Sequence, residues 1–133
     1  MTEVNRKIGA KPGSFYPTFL ADGEIERFKA VKVNDDYKVE VADSQSDLVI
    51  GITYNSKDED DEWVTVVTWG TAFAIADSDV NAWDELVAAS DGDGKLAKRS
   101  SDSESYVVGV ALTEAGEDEE VIVQIQKYYR PAE

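Results

Sequence analysis

Carboxylates are the only abundant groups here that could do chemistry: 28 Asp+Glu stand against 13 Lys+Arg, with no His and no Cys, in 133 residues. Two carboxyls held at a fixed separation in a cleft can hydrolyse a glycosidic bond. So many acids give close pairs in any fold, and the aromatic residues do not gather near any pair, so the chain is read as a non-enzyme with no catalytic residue assigned. Without Cys there is no thiolate, disulfide or Cys-ligated metal. Without His the commonest general base and transition-metal ligand are also missing. Zinc sites, Ser-His-Asp triads and Cys-His dyads are therefore out.

Two local patterns invite a ligand. Asp91-Gly92-Asp93-Gly94 opens like a calcium loop, but Lys95 stands where another oxygen is wanted and no Glu closes it. Asp-Gly pairs form hairpin turns, and that is the better reading. The run Asp58-Glu59-Asp60-Asp61-Glu62 could hold cations loosely as a counterion cloud; no dedicated metal and no cofactor is expected. Trp63, Trp69 and Trp83, with Tyr54, could form a sugar-stacking platform. Large aromatics on strands more often fill cores or subunit contacts.

Net charge narrows the partners. At −15 the chain would repel nucleic-acid phosphates. The opening Met1–Lys7 has no apolar stretch after its basic residues, and the weakly polar run 66–76 is far short of a membrane span, so neither a signal peptide nor a membrane segment is expected. Self-repulsion on this scale opposes compaction unless salt screens it. At molar salt the screening length falls to about 3 Å, so the surface suits a high-salt interior such as a haloarchaeal cell. Residues 1–20 run the other way, with Arg6, Lys7 and Lys11 against Glu3, a net of +2, while residues 21–133 carry −17. Punctuated by Gly9, Pro12, Gly13 and Pro17, residues 1–20 read as a flexible arm on a single domain over 21–133.

The domain reads as all-β. Val64–Trp69 and Val121–Gln126 alternate with period two, and 48–52 and 106–110 read as buried strands, as do Phe28–Val33 and Tyr37–Val41. Val80, Trp83, Leu86 and Val87 fall at helical spacing after Asp77 and Ser78, which predicts a short helical turn near 79–84 followed by a strand at 85–89. Trp63, Val67 and Trp69 lie opposite Val64 and Val66, so that strand should be buried on both faces, the second by another subunit.

These segments match in pairs. Val49-Ile50-Gly51-Ile52 aligns with Val107-Val108-Gly109-Val110 at an offset of 58, and Asp61–Val66 with Asp118–Val123 at 57. A glycine at the same place in both strands marks a shared bulge or close backbone approach. The expected architecture is a compact β-barrel or sandwich of two pseudo-repeated halves, about 24–70 and 82–127.

That pattern resembles the capsid decoration, or head cement, proteins of tailed viruses. The resemblance lies in Val108-Gly109-Val110-Ala111-Leu112-Thr113-Glu114-Ala115-Gly116 before the closing strand Val121–Ile125, with Asp93-Gly94-Lys95-Leu96 upstream, and it spans roughly 22–126. It implies a structural virion protein, made in the host cytoplasm, that binds the outside of an assembled capsid, often as a homotrimer, and stabilises it. The arm would then meet the major capsid protein through Arg6, Lys7, Ile8, Lys11, Phe15, Tyr16 and Phe19, and the three tryptophans become candidates for subunit contact. The acidity and the longer acidic loop at 55–62 depart from the family and fit a virus of a halophilic archaeon. The competing reading is a carbohydrate- or receptor-binding β module on a virion, which would need Trp or Tyr exposed on one concave face.

Overall fold

The computed structural model describes residues 8–9, 17–55, 62–90 and 92–133. It is all strand: β1 (Ile8–Gly9), β2 (Thr18–Leu20), β3 (Ala30–Val33), β4 (Val39–Val41), β5 (Gly51–Thr53), β6 (Trp63–Val67), β7 (Gly70–Ile75), β8 (Glu85–Ala88), β9 (Leu96–Lys98), β10 (Ser105–Ala111) and β11 (Glu120–Arg130). They form a six-stranded sheet in the order β1-β2-β6-β5-β3-β4 and a five-stranded sheet in the order β7-β11-β10-β8-β9. All pairings between these strands are antiparallel.

Leaving β1 aside, both sheets use their strands in the same order, first-fifth-fourth-second-third. The agreement extends to single contacts. Ala21 forms a parallel bridge with Val39, and Ala76 does the same with Leu96. Phe28 donates its N–H to the Thr53 carbonyl (2.8 Å) as Trp83 does to that of Ala111 (2.7 Å). Both aromatics sit in the left-handed region, at φ 67° and 74°, where a non-glycine residue is strained. The correspondence takes in β2 and β7, with Thr18 matching Phe73, earlier than the sequence pattern placed it, because these strands carry too few distinctive residues to align.

Each half buries one face of its sheet. Phe19, Ala21, Ile25, Val31, Val39, Val64 and Val66 form the first interior. Ala74, Ala76, Val80, Leu86, Leu96, Val121 and Val123 form the second, and this core continues into Ala30, Ile52 and Val67 of the first half, joining the two. Strand β6 is therefore split: Val64 and Val66 point into one core and Val67 into the other, while Trp63 and Trp69 remain 42% and 61% exposed. The expected burial of both faces along its whole length does not hold within the chain.

The segment 79–84 is not helical. Val80 is held in a bridge to Ala115, and Asn81 to Asp84 close a turn, Asp84 N–H to the Asn81 carbonyl at 3.2 Å and Asn81 N–H to Asp84 Oδ2 at 2.8 Å. The helical spacing arose because Val80 and Leu86 both enter the core, one from a bridge and one from β8. The loop read as a hairpin turn is one: Lys95 N–H donates to the Gly92 carbonyl (3.1 Å), with Asp93 at φ 54° and Gly94 at φ 82°. Asp91 and the acidic run through Asp61 lie outside the described residues.

The paired glycines mark close approach. A Cβ on Gly51 would strike the Val67 carbonyl and come within 2.8 Å of Val66 Cγ1; on Gly109 it would strike the Gln124 carbonyl and come within 2.8 Å of Val123 Cγ1. The β10–β11 register also shifts between Val107 and Gly109, as a bulge does. Gly51→Ala and Gly109→Ala should each cost about 2–3 kcal/mol by overpacking, read from denaturant unfolding. A loss below a few tenths for either would mean the strands can separate freely there.

Candidate functional site

The residues singled out by sequence scatter. Arg6, Lys7, Lys11, Phe15 and Tyr16 lie outside the described residues, and Ile8 belongs to β1, in register with Phe19. Phe19 is 6% exposed, inside the first core on a strand paired with β6, so its ring is not available as an arm anchor. The alternation Thr18-Phe19-Leu20 is too short to reveal this beside Gly- and Pro-rich neighbours. Trp63, Trp69 and Trp83 are all exposed, the last at 74%. Trp63 opens β6 and Trp69 lies just beyond its end, roughly 20 Å away along an extended chain, and Trp83 sits in a turn of the other half.

An unanticipated feature lies between the halves. Phe28, Tyr54, Val67, Ala72, Phe73 and Ile122 line an apolar groove of about 240 Å³ beside β7. Its position follows from local chemistry. The Thr53 hydroxyl donates to the Glu26 carbonyl (2.8 Å) and accepts from the Lys29 N–H (3.0 Å), which pins the 26–29 turn against β5. Phe28 is thereby turned onto Phe73, ring centroids 5.6 Å apart and tilted 46°, and the Arg27 guanidinium lies 4.9 Å above the Phe28 ring. Phe73 itself is 47% exposed. Sequence gave no signal for the groove, because its walls come from segments distant in the chain.

Next to it is an open, charged depression lined by Glu24, Glu26, Arg27, Phe28, Lys29, Ile75, Lys95, Asp118 and Glu120. Lys95 and Asp118 meet at 2.7 Å, and that contact holds the ammonium above its usual range. Among the described residues no three carboxylates converge as metal ligands would. What the groove offers a ligand is ring faces and the main chain of a strand edge.

A second cluster fastens the end of β11. Glu85 pairs with Arg130 (3.0 Å) and accepts from the Tyr128 hydroxyl (2.5 Å). Arg99 donates to Ser105 Oγ and the Pro131 carbonyl, both at 2.9 Å, and pairs with Glu133 at 3.3 Å. Tyr129 donates to Glu104 (2.8 Å) and packs on Tyr106 (5.3 Å). Lys127 donates to the Ile50 carbonyl (2.8 Å), and burial pushes its pKa down. These are structural ties.

No family model and no curated protein matches the chain. Among solved structures, the head fiber gp8.5 N base in bacteriophage phi29 is similar, with a TM-score of 0.65 and 22% sequence identity over 82% of this chain and 92% of that one. At that identity the likeness is one of fold.

Tyr128 gives a direct check on the second cluster. Burial first, then the bond to Glu85, push its pKa up to about 12. A raised folded-state pKa means the contact is intact below pH 10 and is lost as pH rises toward 12. A spectrophotometric titration should show one phenol ionising near pH 12, and Tyr128→Phe should remove that late step. Identical titrations of the two proteins would place the late phenol elsewhere.

Proposed function

We propose that this chain is a structural virion protein that decorates the outer surface of an assembled capsid and reinforces it. The observation that carries the reading is the fold shared with a protein of a bacteriophage head fibre over most of both chains. Its physics suits the task. Two small cores are joined by Ala30, Ile52 and Val67, and exposed Trp63, Trp69 and Trp83 offer large apolar area for contact with the major capsid protein or with two further copies in a trimer. Weak contacts gain strength when many copies act on one shell. The sugar-binding alternative rests on the same three exposed rings and would need them on one concave face.

Electron microscopy of virions from the virus that encodes this chain should find it on the outside of the head. Removing residues 1–7 takes away Arg6 and Lys7 and leaves β1, so the body should melt unchanged while capsid occupancy falls. Full occupancy of the truncated chain would remove the arm from the reading, and absence from the head would end it.

The same reading takes the charge of −15 as adaptation to a salty host. Melting temperature should then rise steadily from low salt to molar potassium chloride, where the screening length is about 3 Å. A flat response would argue for an acidic protein of an ordinary host.

A further inference from the structure

The two halves differ at one edge. Antiparallel pairing sends the N–H and C=O groups of alternate residues to opposite sides of a strand. Ala76 donates to the Glu119 carbonyl (2.9 Å), so the even-numbered residues of β7 face β11 and Thr71, Phe73 and Ile75 face away. In the first half Ala21 donates to the Glu62 carbonyl (2.8 Å), so Thr18 and Leu20 of β2 face away from β6. There β1 covers the outer row, Gly9 in register with Thr18. Phe73 is the counterpart of Thr18, and among the described residues no strand pairs with it from outside. The closing contact with β9 begins only at Ala76, too late to cover the row.

We propose that the outer edge of β7 is a docking site for an extended segment of a partner protein, added antiparallel as β1 adds to β2. Its main chain would pair with Thr71, Phe73 and Ile75, and its apolar side chains would enter the groove against Phe28 and Phe73. Charge specifies its leading end. An antiparallel strand brings its first residues to Ile75, where the charged depression adjoins the groove. Four carboxylates, Glu24, Glu26, Asp118 and Glu120, stand there against three cations, Arg27, Lys29 and Lys95, so the balance is negative. The segment therefore carries Lys or Arg just before its apolar residues. A second copy is a poor occupant, since the strand that follows its Arg6 and Lys7 already pairs with its own β2. That the partner is a shell protein rests on the function proposed above; the strand addition itself does not.

The probe is a synthetic peptide of the sequence of residues 4–12, which places Arg6 and Lys7 ahead of Ile8, titrated into the full chain. Binding should shift the amide resonances of Thr71, Phe73 and Ile75. Affinity should fall about tenfold for a peptide with both leading basic residues changed to Glu, and as much for Phe73→Glu in the full chain. Thr71→Pro, which removes an outward N–H, should weaken binding while melting temperature stays near wild type. Shifts confined to Thr18–Leu20 would mean exchange of β1 and would overturn the proposal, as would no response at β7. Dimerisation lost in Phe73→Glu would assign the edge to a second copy and overturn the partner assignment. None of these readouts depends on whether the chain is found on virions, so the two ideas fail separately.

Discussion

Closure of each half depends on a parallel contact at the end of its first strand. Ala21 meets Val39 and Ala76 meets Leu96, and the next residue in each case donates to the same partner's carbonyl, Asp22 to Val39 and Asp77 to Leu96, both at 2.8 Å. Both alanines are fully buried, and a larger side chain would have to displace core neighbours. Because contact is made only at the strand's end, the earlier residues diverge from the closing strand. That divergence leaves an outward row of peptide groups in each half, filled by β1 in one and paired with no strand among the described residues in the other.

Charge is handled by separating fold from surface. Several cations serve as ties: Lys32 to Asp47 at 3.2 Å, Lys95 to Asp118 at 2.7 Å, and Arg99 and Arg130 to Glu133 and Glu85. Stability rests mainly on the two apolar interiors, because pairs open to solvent, such as Lys95–Asp118, are worth at most about 1 kcal/mol each. Their effect is to place positive charge where it fixes loops and the end of β11. Carboxylates outnumber cations 28 to 13, so a partner meets an acidic body.

Strands whose inward residues are large and branched were legible in the sequence. Val64 and Val66, Val121 and Val123, and Val107 stand out by alternation or run, and all are buried. So was the need for Gly51 and Gly109, because one residue type recurred at one place in both copies. Strand β7 was not legible, since its inward side is Ala72 and Ala74 and its larger residues, Thr71, Phe73 and Ile75, point outward. The usual signal is thereby inverted. The false helix near 79–84 has the same root, a spacing produced by residues on two separate elements. The groove could not be read at all, because Phe28 and Phe73 meet only after the halves dock.

Duplicated topology also separates the differences that connectivity forces from those it does not. Strand β11 runs to Arg130 while its counterpart β6 stops at Val67. That difference is forced: β6 must hand the chain to β7, which it does at Gly70 in a left-handed conformation (φ 93°) that glycine adopts without strain. The Glu85, Arg99 and Glu104 contacts hold the extension of β11. The bare edge of β7 has no equivalent excuse. The short link after β6 leaves no residues to fold back over it, yet nothing in the pairing requires two phenylalanines beside it. An edge exposed to solvent is ordinarily guarded by charge or proline, and Gly70–Ile75 contains neither. A bare, apolar, unguarded edge invites unwanted pairing, and such a cost is sustained most readily where pairing is the purpose.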